Sequence, residues 1–346
     1  WSENINLALD IAPKLVAGIV WVNGTNMMDA AAGFGGVRES GFGREGGWEG
    51  LAGYTKPKIS AKPRKAAEPY AGPDTPTDPL DRTAKLYIGG KQTRPDSGYS
   101  DAIYGPNGAL LGHVSTGSRK DIRNAVEAMN GARKWSKTTG HLRAQILYFL
   151  AENLSVRADE FSKRISALTG KSGAKEVQDS INALFTYAAW ADKYDGQAHG
   201  VPIRGVALAM KEPVGNIGIL CGDAPLLEVI TPMAAAIAMG NRTTLVPSHA
   251  FPLAATDLIQ LLETSDVPAG VVNIVTGNPS ELGKTLSDHL DVDAVWNLGS
   301  ASNTAMIEAN SAGNLKRTWA PSGTPVPRDY LMSATEVKNI WIPYGE

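Results

Sequence analysis

The chain has 346 residues, of which 43% are hydrophobic and 20% are charged, as is ordinary for a globular protein. A formal net charge of −2 gives no general attraction to nucleic acid or to an anionic membrane, and no apolar run is long enough for a membrane span. The single cysteine excludes an intrachain disulfide and argues against a structural zinc site, so we expect no bound metal and a cytoplasmic location.

The N-terminal part combines a helical pattern with a glycine-rich stretch. Apolar residues recur at helical spacing over 3–17, and Gly18 is a natural stop before a buried strand at 19–22. Disorder is one interpretation of the glycine-dense stretch 33–53, but its interleaved aromatic residues favour a packed, irregular β surface. The opening WSENINLALD has neither an initiator Met nor a signal-peptide pattern, which favours a truncated or processed chain.

A proline-rich stretch follows. Six prolines fall between Pro57 and Pro79, and the first half of the stretch is basic. This composition predicts a semi-rigid linker over residues 59–83. The alternative is a docking motif for an anionic partner, but a short charged stretch of this kind is usually just solvated.

From Leu86 onward the pattern predicts a β-meander with turns near 95–98 and 106–108. Three amphipathic helices follow, one starting at the cap Ser118 and the others over about 142–167 and 174–194. A hairpin is then expected, with strands at 206–210 and 211–214.

The remaining sequence alternates strands and helices. The predicted strands are 216–221, 244–246, 271–275, 294–297 and 316–319, and the predicted helices are 226–239, 252–263, 279–288 and 301–312. This alternation predicts an α/β fold with a Rossmann-like, doubly wound parallel sheet and flanking helices. The final run EVKNIWIPYG reads as one more strand.

Two local motifs could in principle bind a phosphate or supply a nucleophile, and each also has a structural interpretation. GNPSELGKT (277–285) lacks phosphate-loop spacing, because five residues rather than four separate Gly277 from Gly283. It fits either a simple strand-to-helix turn or a dinucleotide turn. Cys221 ends a strand without a basic neighbour in sequence, which is typical of a buried core thiol rather than a nucleophile.

Longer motifs resemble the aldehyde dehydrogenase family. KEPVGNIGIL with PLLEVITPMAAAIAMGNRTTLVPS (211–248) looks like the first nucleotide-binding segment of that family. VNIVTG with ELGKTLSDHLDVDAVWNLGS and NLKR (272–317) looks like the second. FGGVRESGFGREGG (34–47) looks like the C-terminal signature, a β-rich oligomerisation-type segment. A family tail before a family head resembles the C-terminal portion of the two-unit, family 16 aldehyde dehydrogenases. The expected domains are therefore a first-unit tail (1–58), the linker, and a truncated second unit (84–346).

The chain departs from the family where chemistry is expected. Asp223 stands where the resemblance implies an oxyanion-stabilising Asn, which is the wrong charge for that role. Val246 and His249 replace the Lys and Glu that hold the adenine ribose, and Val246 cannot donate a hydrogen bond. Pro321 falls in the position of the general base. No cysteine follows Cys221 to act as the nucleophile.

The resemblance therefore implies a non-catalytic unit without catalytic residues. Four residues match the cofactor site only as vestigial candidates: Gly277, Gly283, Gly299 and Ser300. We expect no cofactor for this chain and NAD for a parent that oxidises aldehydes. The expected partner is a catalytic aldehyde dehydrogenase unit of the same chain or of a second subunit, within a homodimeric parent. The alternatives are a vestigial nucleotide-binding module and an active dehydrogenase that uses Cys221.

Overall fold

The computed structural model describes residues 1–55, 63–73, 82–202 and 205–343. Its contacts divide the chain into two compact units. Unit 1 combines residues 1–60 with 194–213 and 335–346, and unit 2 combines 61–193 with 214–334. Each unit therefore contains segments that are distant in sequence.

The strands and helices have the following bounds in chain order. The strands are β1 (Ile19–Trp21), β2 (Leu86–Ile88), β3 (Lys91–Thr93), β4 (Ser100–Tyr104), β5 (Leu110–Ser115), β6 (Gly196–Val201), β7 (Gly205–Pro213), β8 (Asn216–Leu220), β9 (Arg242–Val246), β10 (Val272–Ile274), β11 (Ala294–Asn297), β12 (Arg317–Trp319) and β13 (Thr335–Pro343). The helices are α1 (Ile5–Ile11), α2 (Gly47–Gly53), α3 (Arg119–Gly131), α4 (Gly140–Val156), α5 (Ala158–Thr169), α6 (Ala174–Trp190), α7 (Leu227–Ala238), α8 (Leu253–Asp257), α9 (Ile259–Thr264), α10 (Pro279–Asp288), α11 (Thr304–Ala312) and α12 (Pro327–Ser333).

Unit 2 is built on a seven-stranded sheet with the order β12-β11-β8-β9-β10-β2-β3. The strands from β12 to β10 are parallel, and β2 and β3 add an antiparallel edge. The chain proceeds from β8 outward to β10 and then returns to place β11 on the other side of β8. This confirms the predicted Rossmann-like, doubly wound fold, with the change of direction between β8 and β11.

Helices cover both faces of this sheet. One core joins apolar residues of α3, α10 and α11 to the sheet, with Met129, Leu286 and Ile307 among its buried members. Helix α7 contacts strand β9 and the helices α4, α6 and α12, and nine of its 12 residues are buried. Burial on both faces explains why the central strands β8 and β9 have no exposed residue.

Unit 1 contains a four-stranded sheet with the order β1-β13-β7-β6. Strand β1 runs parallel to β13 with Ile19 opposite Asn339, and β13 forms a nine-residue antiparallel ladder with β7. The buried ammonium of Lys338 donates to Glu212 Oε1 at 2.6 Å and to the carbonyl of Pro13 at 2.8 Å. The predicted final strand is thus present, and it joins segments from both halves of the sequence.

Three sequence predictions in unit 1 were wrong in detail. The predicted hairpin 206–214 is a single strand, β7, because its partners are β6 and β13 rather than its own second half. The glycine-rich stretch contains the helix α2 and an isolated bridge between Phe34 and Glu45, not a β surface. Helix α1 ends at Ile11 and continues only as a 3₁₀ turn over 12–14, where Pro13 interrupts α-helical hydrogen bonding.

The helices of unit 2 were predicted in place but not always in length. The helix expected over 142–167 is two helices, α4 and α5, separated at Arg157. The helix expected over 252–263 likewise divides into α8 and α9 at Leu258. Apolar spacing continues across both breaks, so periodicity alone did not reveal them. In the described part of the chain, no helix has the length and apolar character needed to cross a membrane.

The predicted linker is only partly described, because residues 56–62 and 74–81 lie outside the described ranges. The basic residues Lys56, Lys58 and Lys62, on which the alternative of a docking motif depended, fall there as well. Residues 63–73 are described, and they belong to unit 2. We call residues 63–73 the crossing segment.

A prediction for unit 2 concerns the fully buried Asn241 after α7. Its Oδ1 accepts from the amide of Gly215 at 2.8 Å, and its Nδ2 donates to the carbonyls of Ala236 and Ala334. Asn241→Ala leaves the Gly215 amide buried without its acceptor, so we expect unfolding free energy to fall by about 2 kcal/mol.

Urea denaturation followed by circular dichroism measures this loss. The matched control is Asn182→Ala on the exposed face of α6, where the side chain accepts only from Gln178. The control should change the unfolding free energy by less than about 0.5 kcal/mol. Equal effects of the two substitutions would contradict the structural role of Asn241.

Candidate functional site

In open α/β sheets, ligands bind in the crevice outside the carboxyl ends of the strands, where the strand order reverses. In unit 2 that place is the edge formed by the loops after β8, β9 and β11. These loops begin at Cys221, Pro247 and Leu298. The crevice is therefore where cofactor chemistry has to be sought.

Asp223 joins two of these loops. Its Oδ1 accepts from Ser248 Oγ at 2.5 Å, and Ser248 is itself buried. Its Oδ2 accepts from the backbone amide of Ala67 at 2.7 Å. A carboxylate acts only as an acceptor, so both oxygens already have donors. Asp223, whose charge is wrong for stabilising an oxyanion, thus connects two loops through hydrogen bonds.

The amides at the start of α7 also have partners. Glu176 Oε1 accepts from Leu226 N at 2.8 Å and from Leu227 N at 3.1 Å, and Glu228 Oε2 accepts from Ala224 N. Burial raises the pKa of Glu176, and the two helix amides oppose that shift. Such terminal amides form anion sites when they are free. Here carboxylates of the protein take that place.

The crossing segment runs along this edge of the sheet. Arg64 contacts the loops after β11 and β12, since its guanidinium donates to the carbonyls of Leu298 at 2.5 Å and Gly323 at 3.2 Å. Further along, Ala67 reaches Asp223 after β8, and the ring of Tyr70 lies 6.2 Å from that of Phe251 after β9. The segment thus meets the strands in their spatial order.

Val246, Pro321 and His249 stand at the positions that the resemblance assigns to cofactor binding and to the general base. Val246 ends β9, is fully buried, and accepts from the amide of Cys221 through its carbonyl. Pro321 lies in the loop after β12 and carries no proton-accepting side chain. His249 is exposed. In the described part of the chain, no cluster of His, Cys, Asp and Glu could hold a metal ion.

Packing and capping account for the four vestigial candidates. Gly277 has a φ of 146°, and a Cβ on Gly283 would lie 2.8 Å from Leu220 Cδ2, where α10 approaches β8. Gly299 lies against the Cys221 carbonyl, which a Cβ would approach to 3.0 Å. Ser300 Oγ accepts from the amide of Ser302 and caps a 3₁₀ turn. Gly299 and Ser300 border the contacts of Arg64, whereas Gly277 and Gly283 belong to the β10–α10 connection.

Cys221 is the first residue after β8, and its side chain is buried. Burial, with a smaller effect of the Glu228 carboxylate, raises the pKa of the Cys221 thiol far above its ordinary value. The thiolate is the nucleophilic form of cysteine, so this environment suppresses attack on a carbonyl.

Comparison with known proteins identifies the lineage. The family model for the aldehyde dehydrogenase family matches residues 1–60 and 94–325. The chain belongs to the aldehyde dehydrogenase family. It is 33% identical over 236 residues to an aldehyde dehydrogenase of Agaricus bisporus, covering 66% of this chain and 47% of that relative. It is 30% identical over 249 residues to NADP/NAD-dependent aldehyde dehydrogenase PuuC of Escherichia coli K12, covering 69% and 50%.

Solved structures of aldehyde dehydrogenases support the same family assignment. Betaine aldehyde dehydrogenase of Staphylococcus aureus in complex with NAD+ is 26% identical with a TM-score of 0.66, covering 68% of this chain and 49% of that one. The chain thus spans about half the length of the relatives that it matches. The crossing segment lies outside both ranges matched by the family model.

Sequence reasoning missed the contacts of the crossing segment. Arg64 was recognised only as one basic residue of a linker, and Tyr70 was not considered. One signal was available, because Arg64, Ala67, Tyr70 and Pro73 recur at every third position of a proline-rich stretch. Extended proline-rich chains have three residues per turn, so this spacing marks one edge of such a chain.

The burial of Cys221 generates a direct prediction. The thiol of the native chain should react with an aromatic disulfide reagent far more slowly than a free thiol, because the thiolate is suppressed and the sulfur is enclosed. After unfolding in guanidinium, one equivalent should react, since the chain contains one cysteine. Absorbance of the released thiolate measures both rates, and equally fast reaction of the native and unfolded chains would contradict the prediction.

Proposed function

We propose that this chain acts as a non-catalytic aldehyde dehydrogenase-like domain whose role is structural and oligomeric. The observation that carries the proposal is the four-stranded sheet of unit 1. In it, β1 from the family tail pairs with β13, and β13 pairs with β7. An element from the tail and two strands that flank the Rossmann sequence thereby complete one sheet.

The side chains of the crevice support the absence of catalysis. The carboxylate of Asp223 accepts hydrogen bonds from Ser248 and Ala67. Pro321 has no side chain that could act as a base, and the thiol of Cys221 is buried. General acid–base catalysis needs a titratable side chain within hydrogen-bond reach of the reacting group, and covalent catalysis needs an accessible, activated nucleophile. Asp223, Pro321 and Cys221 do not meet these requirements, which supports the proposal.

The crevice also fits a dinucleotide poorly. Val246 cannot donate to a ribose hydroxyl, and the amides at the start of α7 already donate to Glu176. The crossing segment occupies the edge where a cofactor would lie. We therefore propose that this chain binds no NAD.

The proposed context is a two-unit protein of the family 16 type, in which a catalytic unit oxidises aldehydes with NAD. The order of family segments supports it, because tail-like residues 34–47 precede the nucleotide-binding segments 211–248 and 272–317. In this proposal the present domain is a built-in partner of that unit, and two copies of the parent form a homodimer.

Unit 1 offers a test of how firmly the tail is held. Arg44 Nη2 donates to the carbonyl of Val337 at 2.9 Å, and its Nη1 donates to that of Gly36 at 2.6 Å. Arg44→Ala should therefore loosen residues 33–53 from β13, with a loss of roughly 1–3 kcal/mol in the stability of unit 1. Limited proteolysis and thermal denaturation measure the change.

The matched control is Arg38→Ala in the same glycine-rich stretch, where the side chain is exposed. This variant should keep the wild-type cleavage pattern and melting temperature. If Arg44→Ala left both measurements unchanged as well, the tail would not depend on this contact with β13.

The oligomeric role is tested in the parent by deleting residues 59–346. We expect the deletion to change the mass measured by light scattering and to lower both thermal stability and aldehyde oxidation. Unchanged assembly, stability and activity would refute the structural role.

Calorimetric titration of the present chain with NAD and NADP separates the proposed function from a nucleotide-binding module. We expect no saturable heat at cofactor concentrations of about 1 mM, a limit that corresponds to roughly −4 kcal/mol of binding free energy. Saturable binding of NAD or NADP would favour a nucleotide-binding module. Aldehyde turnover by the wild type that is lost in Cys221→Ala would favour an active enzyme.

A further inference from the structure

The contacts of the crossing segment follow a three-residue period. Arg64, Ala67 and Tyr70 are half-buried, and the residues between them are exposed. The carbonyl of Pro73, three residues further on, accepts from Tyr104 Oη at 2.9 Å. A polyproline II chain has three residues per turn, so a segment of that kind presents every third residue to one surface. This is the pattern by which grooves recognise proline-rich peptides.

The first anchor is Arg64. Its Nη1 donates to the Leu298 carbonyl and lies 3.0 Å from Glu228 Oε1, while its Nη2 donates to the Gly323 carbonyl. The Arg64 carbonyl in turn accepts from the amide of Ala301 at 2.9 Å. The planar guanidinium suits such multiple acceptors, and a lysine could not reproduce the geometry.

The middle anchor is the backbone amide of Ala67, which donates to Asp223. Because Asp223 also accepts from Ser248, this one carboxylate connects the crossing segment to the loops after β8 and β9. Loss of the Ala67 contact leaves a carboxylate oxygen of the crevice without its donor. The peptide backbone thus satisfies a polar group of the sheet edge.

The far end is aromatic. Tyr70 packs near Phe251, and Gly72 passes so close to Tyr104 that a Cβ would lie 2.3 Å from its Cδ1 atom. Aromatic walls and a hydroxyl donor to a backbone carbonyl are features of grooves that bind proline-rich peptides. The approach at Gly72 admits no side chain without displacement of Tyr104.

We propose that the crevice at the carboxyl ends of β8, β9 and β11 is a peptide groove, and that residues 63–73 are its resident occupant. A proline-rich segment with Arg at the first anchor takes the place that a dinucleotide takes in open α/β sheets. The proposal goes beyond the structural role of the domain, because it assigns a ligand class to the crevice and names its occupant.

Hydrogen exchange of the full chain, followed by mass spectrometry, tests the occupancy. In the wild type the amide of Ala67 should be protected, because it donates to Asp223. Arg64→Ala should accelerate the exchange of the peptide that contains Ala67 by roughly tenfold, the effect of losing about one hydrogen bond from a charged group. The control Lys65→Ala removes an exposed positive charge from the same segment and should leave exchange unchanged.

A second variant provides the same test in case Arg64→Ala fails to fold. Ala67→Pro removes the amide that donates to Asp223, and proline is common in extended segments of this kind. It should also accelerate exchange over 64–73 without altering the far-ultraviolet circular dichroism. Wild-type exchange at the rate of an unstructured chain, or equal exchange in Arg64→Ala and Lys65→Ala, would overturn the proposal.

A binding experiment tests recognition directly. A fluorescent peptide with the sequence of residues 63–73 should bind Arg64→Ala at least about tenfold more tightly than it binds the wild type, whose groove is filled by the tethered copy. The same peptide with Ala in place of Arg64 should bind neither protein. Equal anisotropy changes with both peptides would show non-specific association and overturn the assignment.

The last arm separates a peptide groove from a covered nucleotide site. NAD at millimolar concentration should leave the exchange of residues 64–73 unchanged in the wild type. If NAD instead accelerated that exchange, the crossing segment would be a displaceable cover, and the crevice would be a nucleotide site. Failure of this arm leaves the shared sheet of unit 1 and its structural role unaffected.

Discussion

Polar backbone groups of the loops at the carboxyl edge of the parallel sheet depend on hydrogen bonds to side chains from other parts of the chain. Buried or half-buried groups of this kind need hydrogen-bond partners. In this chain the partners come from the protein itself. Asp223 takes Ser248 and Ala67, Glu176 takes the first amides of α7, and Arg64 satisfies the carbonyls after β11 and β12. These contacts connect the loops after β8, β9 and β11 to one another through Asp223 and the crossing segment.

The substitutions relative to the family become coherent when the crevice is considered as one network. An Asn at position 223 could accept from Ala67, but it would not place a full negative charge between the two donors. The buried apolar Val246 packs at the end of β9, where a ribose-binding lysine would need solvent or ligand. The retained glycines serve close packing, since both Gly283 and Gly299 lie where a Cβ would crowd neighbouring atoms.

The two units depend on different physical principles. Unit 2 is a layered α/β domain whose core lies between the sheet and its helices. Unit 1 depends on strand pairing between distant segments, with β13 at its centre and the buried Lys338 ammonium paired to Glu212 and Pro13. Removing one partner of such a buried charge is costly, because the other charge is left unpaired. The long β13–β7 ladder and this ion pair together fix the register.

Local pattern alone determined much of this protein. Alternating apolar runs and helices predicted β8 to β12 and the doubly wound sheet, and motif comparison located Asp223, Val246 and Pro321 where chemistry would be expected. Only the tertiary structure decided that 205–213 is one strand, that residues 47–53 form a helix, and that residues 63–73 lie across the sheet edge. The reason is physical, because short-range periodicity reflects only which side chains are buried. The pairing of β1 with β13 and the position of Arg64 depend on contacts between residues hundreds of positions apart in the sequence.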